Sequence, residues 1–218
     1  DILLADPAER QAVVVSAMSK TTDALLGLVA AAEQSAPDLA TRQEAIDSRY
    51  RKTVAALLKQ QERANEVLRI FAADMADLGG LLHSISLVRQ AGERSRDLVA
   101  GYGELWSSRL LAAYLTERAQ TESHDRPVKW VDARDLIVVE RGEMGPAVQW
   151  AESRARARRH FSADTRGIAV ITGFIAAEPD GLFCTLGRNG SDFSASIVGA
   201  LVDAEKITIW TDVDGVMS

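Results

Sequence analysis

A chain of 218 residues, 47% hydrophobic and 26% charged, can bury a sizeable core and has the composition of an ordinary water-soluble globular protein. Its 25 basic residues against 31 acidic ones leave a formal net charge of −6, which argues against a nucleic acid or an anionic membrane as partner and leaves room for a local basic pocket. The single cysteine, Cys184, excludes a disulfide framework and a thiolate metal cluster and fits a reducing cytoplasm, and no apolar run approaches the roughly 18 residues that span a bilayer.

The first structural signal is the β-branched run Val13-Val14-Val15, a buried strand. Thr21, Thr22 and Asp23 are N-cap candidates for a helix that continues through Ala24 to Val29. From about residue 38 to 120 apolar residues recur at helical spacing, as in Val54, Leu57, Leu58 and Val67, Leu68, Phe71. This block predicts three or four helices, with breaks near Gly79-Gly80 and Gly101 to Gly103. Strands are then expected at Val128–Val131, Leu136–Val139 and Ile168–Ile171, with a helix around 147–160. Glu178-Pro179-Asp180-Gly181 reads as a hairpin tip, with Phe183–Leu186 as the returning strand. Ser191 is placed as the cap of a helix running to about Ala204, and Lys206–Trp210 as a last strand. Strands alternating with helices at both ends imply an α/β fold, a mostly parallel sheet with helices on its faces and a central helical lobe. Neither end has the look of a natural terminus, so the chain is expected to be a fragment.

In open α/β sheets ligands gather beyond the carboxyl ends of strands. Four segments are expected there: Ser16 to Thr22, Tyr102 to Leu105 at a helix start, Leu186 to Asp192, and Trp210 to Gly215. The third is the most informative. Gly187 and Gly190 let backbone approach a ligand, N–H groups at the following helix start face an anion, and Arg188 suits a carboxylate. Asp192 in the first turn can orient a lysine or a metal. A Gly-rich turn capped by a serine is an equally good reading of that segment, and it is not a Walker loop. Lys20 with Ser16, Ser19, Thr21 and Thr22 suits a carboxylate or phosphate, or is a solvated loop. Glu104 at a helix start more often serves the dipole, and Asp212 with Asp214 suggests a metal or ribose site or an ordinary turn.

Other chemistries fit less well. His83, His124 and His160 lack zinc-ligand spacing, and no protein metal site is assigned. Arg154, Arg156, Arg158 and Arg159 read as a solvated helix face. The four tryptophans read as core or interface residues.

Ile171-Thr172-Gly173-Phe174-Ile175, then Thr185 to Ala195 (TLGRNGSDFSA), then Ile209 to Val216 (IWTDVDGV) resemble the aspartate kinases of the amino-acid kinase family. Val15-Ser16-Ala17 with Thr21-Thr22-Asp23 is similar to that family's first loop, and Gly103-Glu104-Leu105 with Ser107 to its second. Gly-Arg-Asn-Gly-Ser-Asp leans towards the bifunctional aspartate kinase–homoserine dehydrogenases. The resemblance implies a three-layer αβα domain of the carbamate kinase-like type, with 1–218 a partial catalytic domain, a helical lobe over about 38–120 and the sheet with its ligand loops over about 121–218.

It also implies the substrates L-aspartate and ATP with Mg²⁺, a cytoplasmic parent enzyme that is a homo-oligomer, and roles for matching positions. Arg188 would hold the substrate α-carboxylate, Glu104 the amino group, and Ser16, Thr22 and Ser191 the rest of the aspartate pocket. Asp192 would organise the lysines around the transferring phosphoryl group, while Gly187, Gly190, Thr211 and Asp212 would contact the nucleotide. The family's Lys-Phe-Gly-Gly segment and its later Asp-Pro-Arg and Gly-Ala-Lys segments lie outside these 218 residues, so the fragment alone is expected to be inactive. Glutamate or acetylglutamate kinase, or a non-catalytic module of the same fold, are the alternatives.

Overall fold

The computed structural model describes residues 2–6, 8–122, 126–142, 145–161, 166–187 and 190–210. After a single helical turn, α1 (Ile2–Ala5), strand β1 (Arg10–Val15) leads into helix α2 (Thr21–Glu33). Three long helices follow, α3 (Leu39–Leu57), α4 (Gln61–Val88) and α5 (Glu93–Thr121). The second half holds β2 (Val128–Val131), the hairpin β3 (Val139–Gly142) and β4 (Gly145–Val148), helix α6 (Trp150–His160), β5 (Gly167–Thr172), the hairpin β6 (Ile175–Ala177) and β7 (Phe183–Thr185), and helix α7 (Gly190–Leu201).

The central sheet has the order β1-β5-β2, all parallel. Val15 pairs with Thr172 and Val131 with Ile171, so the three strands end level and release their loops at one edge. Side-chain alternation along β5 sends Ile168 and Val170 to one face, with Leu115 and Ala119 of α5. Ala169 and Ile171 fall in the cluster that contains Ile197, Val198 and Leu201 of α7. Two periodicities thus meet, period two in the strands and 3.6 in the helices, and their apolar sides close a three-layer αβα sandwich.

The helical lobe is held at its centre by aromatic rings. Tyr50 of α3 stacks on Phe71 of α4 at 4.2 Å, and Phe71 meets Trp106 of α5 edge-on at 4.8 Å. The Tyr50 hydroxyl donates to the Trp106 carbonyl at 3.0 Å, and the Trp106 indole N–H donates to Asp74 at 3.0 Å. Buried Glu117 accepts the backbone N–H groups of Lys59 at 2.8 Å and Gln60 at 3.1 Å, satisfying donors at the start of α4. By length and composition α4 could cross a membrane, a property missed by reading apolar runs because Asp74 and Asp77 interrupt it. Its buried stripe, Ala64, Val67, Phe71, Leu78, Leu82 and Ile85, instead belongs to this core.

The helix breaks lie elsewhere than expected. They fall at 58–60 and 89–92, while Gly79-Gly80 and Gly101 to Gly103 lie inside helices. A glycine costs a helix about 1 kcal/mol relative to alanine, which tertiary packing readily overrides. Here close approach explains two of them: a Cβ on Gly101 would lie 2.1 Å from the Phe183 ring, and one on Gly103 2.9 Å from the Ala17 Cβ. Thr21 to Asp23 are inside α2, and the N-cap is Lys20, in the left-handed conformation at φ 61°. Ser191 is likewise the second residue of α7, which ends at Leu201.

Two expected strands are altered. Leu136–Val139 is mostly a turn and an isolated bridge between Val138 and Ala177, and the strand proper begins at Val139. Lys206–Trp210 forms no strand and is exposed, with Trp210 at 73%. Its β-branched alternation needs a neighbouring edge to become a ladder, and no described strand pairs with it. Of the tryptophans, Trp106 is core, Trp130 is half-buried, and Trp150 and Trp210 are exposed rather than packed inside.

Candidate active site

The level ends of β1 and β5 place Ser16 and the Gly173-Phe174 pair at the same sheet edge. A cleft of about 300 Å³ opens there, lined by Ser16, Thr22, Glu104, Phe174, Gly187, Gly190, Ser191 and Asp192. Residues 16 and 22 come from the loop after β1 and the first turn of α2. Glu104 comes from α5, Gly187 from just after β7, and Gly190, Ser191 and Asp192 from the first turn of α7. Seven of the ten residues to which the resemblance gives roles therefore meet in one cavity. Arg188, Thr211 and Asp212 lie outside the described residues.

Glu104 reaches the cleft from the interior of α5, not from a helix start as expected. It is 4% exposed. One carboxylate oxygen accepts the Ala17 N–H at 3.4 Å, and the other has no hydrogen-bond partner among the described residues. Burial pushes its pKa up to about 7, with hydrogen bonds from its own backbone and from Ala17 pulling it partly back. An orphaned acceptor in a polar cleft is costly unless a ligand supplies a donor. One turn on, Ser107 Oγ donates to the Ser16 carbonyl at 2.6 Å, so α5 also fixes the first loop. Arg49 of α3 donates to the Ser19 carbonyl at 2.7 Å from the other side.

The opposite segment is anchored at both ends. Thr185, the last residue of β7, donates to Asp97 at 2.8 Å, and Asp97 is paired with Arg141 at 2.5 Å. Arg141 also reaches Glu178 at 2.9 Å in the hairpin turn, so α5, β3 and the β6–β7 hairpin are tied together. Gly187 has φ 77°, a conformation that side chains resist. At the far end Ser194 Oγ donates to the Gly190 carbonyl at 2.7 Å and accepts the Phe174 N–H at 2.8 Å. Asp192 stands exposed at the mouth, in the first turn of α7.

Sequence reasoning passed over Phe174 as a site residue. Its signal was faint: an aromatic directly after a glycine at the end of a buried strand. The structure puts it in the left-handed region at φ 65° and on the cleft wall. The arginines of α6 point to no site: Arg154, Arg158 and Arg159 are exposed, and Arg156 pairs with Glu152 at 2.9 Å. The cleft as a whole suits a small polar zwitterion, with a buried acid for a cation and hydroxyls and helix-start N–H groups for anions.

The model of the amino acid kinase family matches residues 1–218. The chloroplastic bifunctional aspartokinase/homoserine dehydrogenase 1 of Zea mays is 38% identical over 219 residues, covering 100% of this chain and 23% of that protein. Bifunctional aspartokinase/homoserine dehydrogenase 2 of Escherichia coli is 32% identical over 205 residues, covering 94% and 24%. The chain thus spans about a quarter of the length of these relatives. Escherichia coli aspartokinase III, solved with aspartate and ADP, superposes with a TM-score of 0.82 at 25% identity, over 98% of this chain and 45% of that one. With the family model matched from end to end and the three-layer fold shared, this chain belongs to the amino acid kinase family.

Proposed function

We propose that the protein containing this chain is an aspartate kinase, transferring the γ-phosphoryl group of ATP to the side-chain carboxylate of L-aspartate to give 4-phospho-L-aspartate. The observation that carries the reading is the buried, half-unpartnered Glu104 carboxylate in a cleft otherwise lined by hydroxyls, glycines, Phe174 and Asp192. A substrate ammonium offers the donor that Glu104 lacks, and its positive charge offsets the desolvation that holds the carboxyl group near neutrality. Relatives named for aspartokinase activity, and a similar fold solved with aspartate and ADP, support the choice of acceptor and of an adenine nucleotide.

Within that reading the residues divide the work. Glu104 binds and orients the amino group. Thr22, Ser16 and Ser191 donate hydroxyl hydrogen bonds to carboxylate oxygens, and Arg188 adds a bidentate contact to the α-carboxylate. The acceptor carboxylate is ionised at neutral pH, so no general base is required. What limits the reaction is approach of one anion to another, and the remaining groups address that. Backbone N–H groups of the Gly187–Gly190 segment and the start of α7 face the phosphates, while Thr211 and Asp212 hold the nucleotide. Mg²⁺ would enter with ATP as part of the substrate and would supply charge screening. Asp192 at the mouth of the cleft orients the cationic side chains that reach the transferring group. A cytoplasmic setting suits Cys184, which is buried and whose thiol burial pushes up to about 11, leaving it inert.

The test is a substrate survey of the full-length protein with MgATP. Phosphorylation of aspartate, with glutamate and N-acetylglutamate at least about a hundredfold poorer in kcat/KM, is expected. Turnover of glutamate without aspartate would overturn the assignment.

A further inference from the structure

Aspartate and glutamate differ by one methylene; polar groups at the two ends register that difference through their spacing, and an apolar wall beside the chain adds a steric measure of it. Among the described residues that line the cleft, Phe174 is the one with an apolar side chain.

Its position is fixed from several directions. The Phe174 N–H donates to Ser194 Oγ at 2.8 Å, and its carbonyl accepts the Leu186 N–H at 2.8 Å. The ring packs against the first residue of α7 so closely that a Cβ on Gly190 would lie 2.5 Å from Phe174 Cδ2. The backbone takes φ 65°, where a bulky side chain is disfavoured and glycine would be at ease. A phenylalanine held there against its backbone preference has a task for its ring. In a cleft of about 300 Å³ a ring fixed on one wall sets how far an extended diacid can reach. Glu104, held through α5, fixes the other reference point, the substrate amino group.

We propose that Phe174 is the specificity-determining residue of this cleft: its ring supports the single methylene of the four-carbon amino diacid and excludes the five-carbon one. The inference rests on the aspartate kinase reading and adds to it the element that selects chain length. One methylene in an apolar pocket changes discrimination by roughly 10- to 200-fold, which sets the size of effect to look for.

The experiment uses the full-length protein and three variants, Phe174→Gly, Phe174→Leu and Phe174→Tyr, assayed for kcat/KM on aspartate and on glutamate. Phe174→Gly removes the ring and relaxes the backbone. It is expected to raise the glutamate-to-aspartate ratio at least about tenfold, chiefly through KM, with Phe174→Leu intermediate and Phe174→Tyr close to wild type. Should Phe174→Gly fail to fold, Phe174→Leu, a tolerated apolar exchange, carries the test with an expected shift of about threefold or more. A folded variant that loses activity on both acids equally, leaving the ratio unchanged, overturns the proposal and leaves Phe174 a packing residue. The wild-type arm separates the two levels of the argument. If the wild-type protein phosphorylates neither acid, the aspartate kinase reading itself fails and this inference with it; if it phosphorylates aspartate, the variants alone decide.

Discussion

Replacing Glu104 by glutamine separates its electrostatic cost from its packing. Burial raises its pKa from 4.5 to about 7, so the folded chain binds a proton more tightly than the unfolded chain across that interval. The stability this proton contributes is fully present below pH 4.5 and is lost as pH rises through 7. At 1.36 kcal/mol per unit, the loss comes to about 3 kcal/mol between pH 4.5 and pH 8.5. Glutamine does not titrate, so Glu104→Gln should lack that decline. It carries instead a pH-independent penalty of about 1–3 kcal/mol, because its amide inherits the position of the unpartnered oxygen. Urea unfolding of the 218-residue chain and its variant, run from pH 4.5 to 8.5, measures both terms. The wild-type midpoint should fall relative to the variant by about 1 M urea over that range. Profiles that stay parallel within about 0.5 kcal/mol would refute the argument, since the carboxyl group would then not be desolvated by folding. On the aspartate kinase reading, the apparent aspartate affinity of the full-length protein should improve about tenfold from pH 6 to pH 8, as Glu104 ionises to meet the ammonium.

Three further outcomes are expected. Asp192→Ala in the full-length protein should lower kcat by more than about tenfold, equivalent to about 1.4 kcal/mol of barrier, and a smaller loss by steady-state assay would remove its assigned role. Gly101→Ala places a methyl group 2.1 Å from the Phe183 ring and should destabilise the chain by about 1–3 kcal/mol despite alanine's better helix propensity. A stability gain on thermal melting would contradict the close approach. Glu117→Ala leaves the Lys59 and Gln60 N–H groups without their acceptor and should cost about 1–3 kcal/mol, read as faster amide exchange at the start of α4.

Much of the fold was legible because β1 and β5 announce themselves by unbroken apolar runs, and the β6–β7 turn by Glu178-Pro179-Asp180-Gly181. The glycine signals misled where glycine serves packing between elements, as at Gly101 and Gly103, since the atoms that demand the space come from Phe183 and Ala17 far along the chain. The same mistake put Glu104 at a helix start, although its meeting with the loop at Ser16 followed from the resemblance. Lys206–Trp210 shows the converse: strand-like sequence yields no strand where it pairs with none of the described strands. Phe174 stayed hidden because its conformation depends on contacts from Leu186, Gly190 and Ser194, which no local pattern encodes.

The unbroken course of α5 has a mechanical meaning. Over its 29 residues, about 43 Å, it carries Asp97 near one end, Glu104 and Ser107 in the middle and Glu117 near the other, with Trp106 locked into the aromatic cluster. A rod pinned at so many points holds Glu104 firmly in place, so the α5 wall of the cleft behaves as a fixed jaw. On the aspartate kinase reading, any tightening around bound reactants comes from elements other than α5.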